Sequence, residues 1–246
     1  MKIWGNLFVG SKVILSVLKM NKYVPSIESA KSSGDFEKER EYIDKATSEW
    51  VNGLIKTFNL TFDVKGRENI PEGPCVFIAN HQGYCDIPLM LKAVEGKQLG
   101  FIARDGFKTV PILSTWINRT RSLFIPTGTD TRESLRIINE GTNLLKEGFS
   151  LMIFPEGKRS WSSEMNEFKP GSFKLATKAK VPIVPVAIEG TYKLYEEHEK
   201  LTPGQTAYVV IHPAIETKDL SRAELKELPD KVHAIIRDTV ADICKS

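Results

Sequence analysis

From Thr61 onward, short apolar runs alternate with longer stretches in which apolar residues recur every three or four positions. The runs Thr61–Val64, Cys75–Ala79, Leu99–Ile102, Ser122–Ile125, Leu151–Phe154, Ile183–Ile188 and Ala207–Ile211 are too short for helices and predict strands. Between them the spacing predicts helices over Ile87–Val94, Val110–Ile117, Thr131–Lys146 and Ser172–Lys178. That alternation implies an α/β fold, a mixed, mostly parallel sheet covered by helices. Near the end, Ser221 with Glu224 makes a capping box. Pro229 then suits the first turn of a last helix carrying Val232, Ile236, Val240 and Ile243.

The first 60 residues follow a different rule. A helix from Lys2 to Met20 would align Ile3, Leu7, Ile14 and Leu18, and a second from Asp35 to Phe58 would align Phe36, Ile43, Trp50, Leu54 and Phe58. Pro25 and Ser32–Gly34 separate them as a polar linker. The expected organisation is an N-terminal two-helix subdomain over residues 1–59 and an α/β domain over residues 60–246.

Composition narrows the field. At 246 residues the chain can bury a sizeable core, and its net charge of +3 is too small to call for nucleic acid. Met1–Tyr23 nevertheless carries Lys2, Lys12, Lys19 and Lys22 and no acid. That asymmetry favours an anionic membrane surface, with the N-terminal helices lying on the cytoplasmic face of the cell membrane. A buried first helix is the alternative. Cys75, Cys85 and Cys244 lack metal spacing and imply no disulfide framework, and no metal site is expected.

Chemistry concentrates where two predicted strands end. After Cys75–Ala79 come His81 and, five residues on, Asp86, close enough to fix the imidazole tautomer and leave the other ring nitrogen to take a proton. Asp86 could equally cap the helix that follows. Cys85 offers a rival nucleophile, or a small packing residue. After Leu151–Phe154 come Glu156, Gly157, Lys158 and Arg159, a turn suited to a phosphate, with Glu156 placed to accept from a neighbouring hydroxyl. Arg119 and Arg121 precede another strand and are candidates for the same rim. Pro182, Ile183 and Pro185 sit in an apolar run that lines an acyl slot or supports the core.

These blocks, in this order, resemble the glycerolipid acyltransferases. Asn80-His81-Gln82-Gly83-Tyr84-Cys85-Asp86 is similar to the family's N-H-x-S-x-x-D, and Phe154-Pro155-Glu156-Gly157-Lys158-Arg159-Ser160 to F-P-E-G-T-R-S. Phe168–Gly171 is similar to F-K-x-G, and Val181-Pro182-Ile183-Val184-Pro185-Val186 to V-P-I-x-P-V. The resemblance implies that His81 is a general base oriented by Asp86, and that Glu156, Gly157 and Arg159 hold a glycerol phosphate. It further implies transfer of a long-chain acyl group from acyl-CoA or acyl carrier protein, with no cofactor, to the sn-2 hydroxyl of a lysophospholipid, 1-acyl-sn-glycerol 3-phosphate, giving phosphatidic acid. Donors for the developing oxyanion are expected among the backbone N–H groups of Gln82–Cys85 or near Gly157.

Three departures from the family pattern stand out. Gly83 replaces the usual serine, Lys158 replaces threonine, and the family's phosphate-binding arginine falls on Thr127. Another lysophospholipid or glycerol 3-phosphate as acceptor, a non-catalytic lipid-binding protein, and a thioesterase using Cys85 are the competing readings.

Overall fold

The computed structural model describes residues 7–125 and 131–245. Seven strands form one sheet in the order β1-β7-β6-β2-β5-β3-β4. They are β1 (Thr61–Lys65), β2 (Val76–Ala79), β3 (Leu99–Arg104), β4 (Leu123–Ile125), β5 (Ser150–Ile153), β6 (Ile183–Glu189) and β7 (Thr206–Ile211). Only the β6–β7 pairing is antiparallel, so the sheet is mixed and mostly parallel, as the alternation predicts. The order reverses around β2, and the carboxyl ends of β2, β3, β5 and β6 point to one edge. Ligands in open α/β sheets gather at such an edge.

The central strands are buried on both faces, which is why they read as continuous apolar runs rather than alternating ones. Along β2, Val76 and Ile78 enter one core and Phe77 and Ala79 the other, the two-residue period of a pleated strand. One core is closed by α6 (Thr131–Lys146), α7 (Lys174–Ala179) and α9 (Arg222–Ile243), and the other by α4 (Asp86–Ala93). Leu228, Val232, Ile236 and Val240 of α9 are each buried, worth about 1.5–3 kcal/mol apiece.

The capping box forms: Ser221 Oγ accepts from the Glu224 N–H, and Glu224 Oε2 accepts from the Ser221 N–H. The helix therefore starts at Arg222, and Pro229 lies inside it rather than in its first turn. Pro229 has no N–H for the carbonyl one turn back, and that carbonyl belongs to the partly exposed Leu225, where water can serve it.

The N-terminal region departs most from expectation. α1 (Leu7–Lys19) is followed by a further helix, α2 (Val24–Ser33), where a linker is predicted. Pro25 opens α2 instead of ending a helix, because a first-turn residue has no intrahelical N–H bond to lose. α3 (Phe36–Phe58) is capped by Asp35, whose side chain accepts from the Lys38 N–H, and ends at Asn59 in the left-handed region. The inward face of α1 is Val9 and Val17 with Met20 beyond it, while Leu18 of the predicted stripe is exposed.

A membrane location through these helices is overturned. No described helix is long and apolar enough to cross a membrane. Val9 and Val17 of α1 are buried where the helix packs against α3 and α5 (Pro111–Arg119), while Leu15 and Leu18 stay exposed, and side chains lock the arrangement. Trp50 Nε1 donates to Ser16 Oγ at 2.9 Å, Trp116 Nε1 donates to Asn21 Oδ1 at 3.0 Å, and Lys22 pairs with Glu49 at 2.6 Å.

Candidate active site

β2 ends at Ala79, and Asn80 prolongs its pairing by side chain: Nδ2 donates to the Ile188 carbonyl and Oδ1 accepts the Ile188 N–H, both at 2.8 Å. The chain then turns sharply, which puts His81 at the carboxyl edge of the sheet. Its Nδ1 lies 2.6 Å from Asp86 Oδ2. The same oxygen accepts the N–H groups of Gln82 at 2.7 Å and Gly83 at 3.0 Å. Two backbone donors already mark this oxygen as an acceptor, so the facing Nδ1 is the donor of the pair and Nε2 keeps the lone pair. Asp86 Oδ1 meets the hydroxyl of Thr191, at the start of the short helix α8 (Thr191–Leu194). The imidazole stacks on Phe154 with ring centres 4.0 Å apart, and its side chain remains 20% exposed. Asp86 is the first residue of α4, but its side chain caps no helical N–H; both backbone donors that it accepts belong to the turn before the helix.

The second turn lies directly against the first. Ser160 N–H donates to the His81 carbonyl at 2.8 Å and Trp161 N–H to the Gln82 carbonyl at 3.2 Å. Glu156 joins them from beneath: Oε1 accepts the His81 N–H at 2.7 Å, and Oε2 accepts Asn166 N at 2.8 Å and Nδ2 at 2.6 Å. Burial pushes its carboxyl above the usual range, opposed by those donors. The expected contact between Glu156 and a substrate hydroxyl is therefore corrected, because the carboxylate is buried and already occupied within the protein.

Arg159 lies over the Tyr84 ring at 3.9 Å, and Lys158 is exposed on the same turn. Gly157 has φ of 70°, and a Cβ there would meet Lys169 Nζ at 2.7 Å. Arg104, at the carboxyl end of β3, donates to the Gly157 carbonyl. Arg104 and Lys169 thus complete a cationic cluster that sequence reasoning missed. The only advance signals were an arginine closing a predicted strand region and the lysine of the Phe168–Gly171 block.

Arg119 and Arg121 do not join it. Both precede β4 and so lie toward the amino edge of this parallel sheet, where Arg119 pairs with Glu28 at 3.3 Å. Arg121 makes two bonds of 2.7 Å to the buried Glu39 and sits over Phe149. Pro182, Ile183 and Pro185 pack in and beside β6 next to β2, as support. Thr127 lies outside the described residues. The N–H groups of Gln82, Gly83 and Tyr84 are donated to carboxylates, and that of Gly157 to the Phe154 carbonyl, so these four of the expected oxyanion donors are already used.

A cavity of about 290 Å³ starts at Tyr84 and Cys85 and runs between α1, α3, α4 and α5. Its walls include Val13, Trp50, Leu91, Ala103, Leu113 and Ile117, nearly all apolar. Val9, Val13 and Val17 of α1, with Trp50, Leu54 and Phe58 of α3, supply one wall. Cys85 is buried, and burial pushes its thiol far above the ordinary range, which removes it as a nucleophile.

A family model described as Acyltransferase matches residues 61–189. The 1-acyl-sn-glycerol-3-phosphate acyltransferase of Saccharomyces cerevisiae is 33% identical over 205 residues, covering 80% of this chain and 67% of that protein. The chloroplastic 1-acyl-sn-glycerol-3-phosphate acyltransferase BAT2 of Brassica napus is 33% identical over 147 residues, 59% of this chain and 42% of that one. The chain thus spans less than half the length of this chloroplastic relative. The crystal structure of the 1-acyl-sn-glycerophosphate (LPA) acyltransferase PlsC from Thermotoga maritima superposes with a TM-score of 0.74 at 27% identity, covering 100% of this chain and 99% of that one. With the strand order, the His81–Asp86 pair and the adjoining Phe154–Ser160 turn on one edge, these likenesses establish that the chain belongs to the glycerolipid acyltransferase family.

Proposed function

We propose that the protein transfers an acyl group from an acyl thioester, acyl-CoA or acyl carrier protein, to the free hydroxyl of a 1-acylglycerol 3-phosphate, forming phosphatidic acid. His81 and Asp86 are the catalytic pair. Nε2 takes the hydroxyl proton as the oxygen attacks the thioester carbonyl. The new C–O bond forms, the C–S bond breaks, and the proton passes from the imidazolium to the departing thiolate. Such a positioned base contributes about 10²–10⁴-fold in rate. Asp86 stabilises the imidazolium and holds the tautomer, the division of labour known from histidine–carboxylate pairs.

The cluster of Arg104, Lys158, Arg159 and Lys169 takes the phosphate. Arginine gives it a planar fork of donors and lysine a point charge. The cavity beginning at Tyr84 and Cys85 accommodates an acyl chain, which leaves water for an apolar wall at about 0.8 kcal/mol per methylene. The observation that carries this reading is the backbone pairing of the two turns, Ser160 N–H to the His81 carbonyl, which fixes the base beside the cations.

Purified protein given 1-acylglycerol 3-phosphate, neutral 1-acylglycerol, glycerol 3-phosphate and zwitterionic lysophospholipids, with both donors, tests it. Turnover confined to the first acceptor, thiol release that requires it, and loss of both in a folded His81→Ala variant are expected. Turnover of the neutral acceptor alone defeats the substrate assignment. Absence of turnover with lipid binding retained defeats the enzyme reading. A trapped acyl-enzyme lost in Cys85→Ser would favour a thioesterase.

A further inference from the structure

Glu196 stands just beyond α8, in the connection to β7, and the reaction as written makes no use of it. Its side chain is 7% exposed. Oε1 accepts the Tyr84 N–H at 2.6 Å and lies 3.4 Å from Arg159 Nη1, whereas Oε2 is buried with no hydrogen-bond partner. That bare oxygen occupies the space where a side chain at residue 83 would begin. A Cβ built on Gly83 would lie 2.5 Å from Glu196 Oε2 and 2.8 Å from its Cδ, far inside contact distance. Gly83 is therefore a close-approach glycine, and the group that approaches is this carboxylate.

Arg159 is thus held from two sides. The Tyr84 ring lies beneath the guanidinium at 3.9 Å, a distance at which cation and ring attract, and Glu196 holds one of its amino groups. The carboxylate also fastens the main chain of Tyr84, three residues after His81. One side chain consequently ties the phosphate-facing arginine to the turn that carries the base. The nearby Arg104, Lys158 and Lys169 keep the cluster positive despite the added acid.

We propose that Glu196 is the positioning residue for the acceptor phosphate, lodged on the bare face of Gly83 so that Arg159 is presented to the phosphate at a fixed place relative to His81. The proposal rests on the acyl-transfer reading above. Free of Glu196, the long arginine side chain would sample several rotamers, and ordering it again would fall to the substrate.

Steady-state kinetics with 1-acylglycerol 3-phosphate and neutral 1-acylglycerol on Glu196→Ala, Glu196→Gln, Gly83→Ser and the Gly83→Ser/Glu196→Ala pair test this. Glu196→Ala is expected to raise KM for the phosphate acceptor about tenfold, the loss of one charge-assisted contact, with kcat changed less than KM. Glu196→Gln, which keeps an acceptor for Tyr84, should fall between. Gly83→Ser displaces the carboxylate and should reproduce the KM rise, and the double variant should be no worse than either single one. Arginine-selective NMR on the same proteins reads the ring-current shift that Tyr84 imposes on the Arg159 Nε–H. That shift should collapse in Glu196→Ala while thermal melts show the protein folded.

An unchanged KM and an unchanged Arg159 signal in Glu196→Ala overturn the proposal, as does strict additivity in the double variant. Should the wild-type protein use no phosphate-bearing acceptor, the acyl-transfer reading fails separately. The arginine signal and the melts of the four variants then decide the placement of Glu196 by themselves.

Discussion

Glu156 grips His81 by its backbone: its Oε1 accepts the His81 N–H at 2.7 Å, while the imidazole points away toward Asp86. A carboxylate in the cationic turn thus holds the main chain of the proposed base rather than facing a substrate. Glu156→Gln puts an amide NH₂ against either the two Asn166 donors or the His81 N–H, leaving a buried donor unsatisfied at about 1–3 kcal/mol. A lower melting temperature and a lower kcat are expected, with KM for the phosphate acceptor little changed. Steady-state kinetics read this directly, and a raised KM at constant kcat would restore Glu156 to the substrate.

Thr191 supports the dyad from the opposite side, its buried hydroxyl meeting the Asp86 oxygen that His81 does not use. Thr191→Val keeps the shape and removes the donor. A hydrogen bond to a charged group is worth about 1.5–3 kcal/mol, so kcat should fall about ten- to hundredfold. Thr191→Ser should restore most of it. If Thr191→Val leaves kcat intact, the backbone donors alone suffice to set Asp86.

Arg121 has a different task from the one its sequence neighbourhood suggests. It neutralises Glu39, which is fully buried on α3, and so fastens the N-terminal helices to the sheet. Arg121→Ala strands a buried carboxylate and should cost about 3–5 kcal/mol. In a chain of this size that corresponds to on the order of 10 °C in Tm. KM for the phosphate acceptor, measured well below the transition, should stay at the wild-type value. Removing both partners, Glu39→Leu with Arg121→Leu, should recover much of the loss. Scanning calorimetry beside kinetics checks both statements.

The apolar cavity makes a prediction about chain length. Ala103 lines it from β3, and Ala103→Phe would fill part of the 290 Å³ from the wall. Turnover should shift toward shorter acyl chains, with the preference for a phosphate-bearing acceptor unaltered. Competition between donors of graded length measures the shift, and an unchanged length profile would place the chain elsewhere.

The sequence carried the sheet well because a strand buried on both faces declares itself as an unbroken apolar run, as in Val76–Ala79 and Ile183–Ile188. It carried the dyad because His81 and Asp86 share one turn and need no distant partner. It was less informative wherever a side chain's job depends on which end of a strand it occupies. Arg121 precedes β4 and Arg104 closes β3, yet both read simply as arginine beside an apolar run. Glu196 was hidden for the same reason, since its partners Gly83, Tyr84 and Arg159 come from two other turns. The first helix misled through its apolar, lysine-flanked pattern, which satisfies an internal cavity as well as it would a membrane.

Glu196 also sets a pH dependence whose sign is definite. Burial, with Asp86 nearby, pushes its carboxyl up to about 7 from an ordinary 4.5, against the opposing pull of the Tyr84 N–H and Arg159. Between those two values the folded protein holds a proton that the unfolded chain has released, so this group makes stability fall as pH rises through the window. Below 4.5 both states are protonated and the contribution vanishes, while above about 7 the full cost is present, on the order of 3 kcal/mol. Glu196→Gln removes the proton uptake and keeps an acceptor for Tyr84. The variant should therefore gain stability relative to wild type between about pH 5 and about pH 8, by an amount on the scale of that cost. Glu156 is shifted in the same direction by its own burial, and His212 is lowered by burial, but both are common to the two proteins and cancel in the difference. Urea unfolding of both proteins across this range supplies the comparison. Parallel stability curves would mean that Glu196 ionises in the folded protein as it does in the unfolded chain, and that its buried oxygen is not the desolvated group described here.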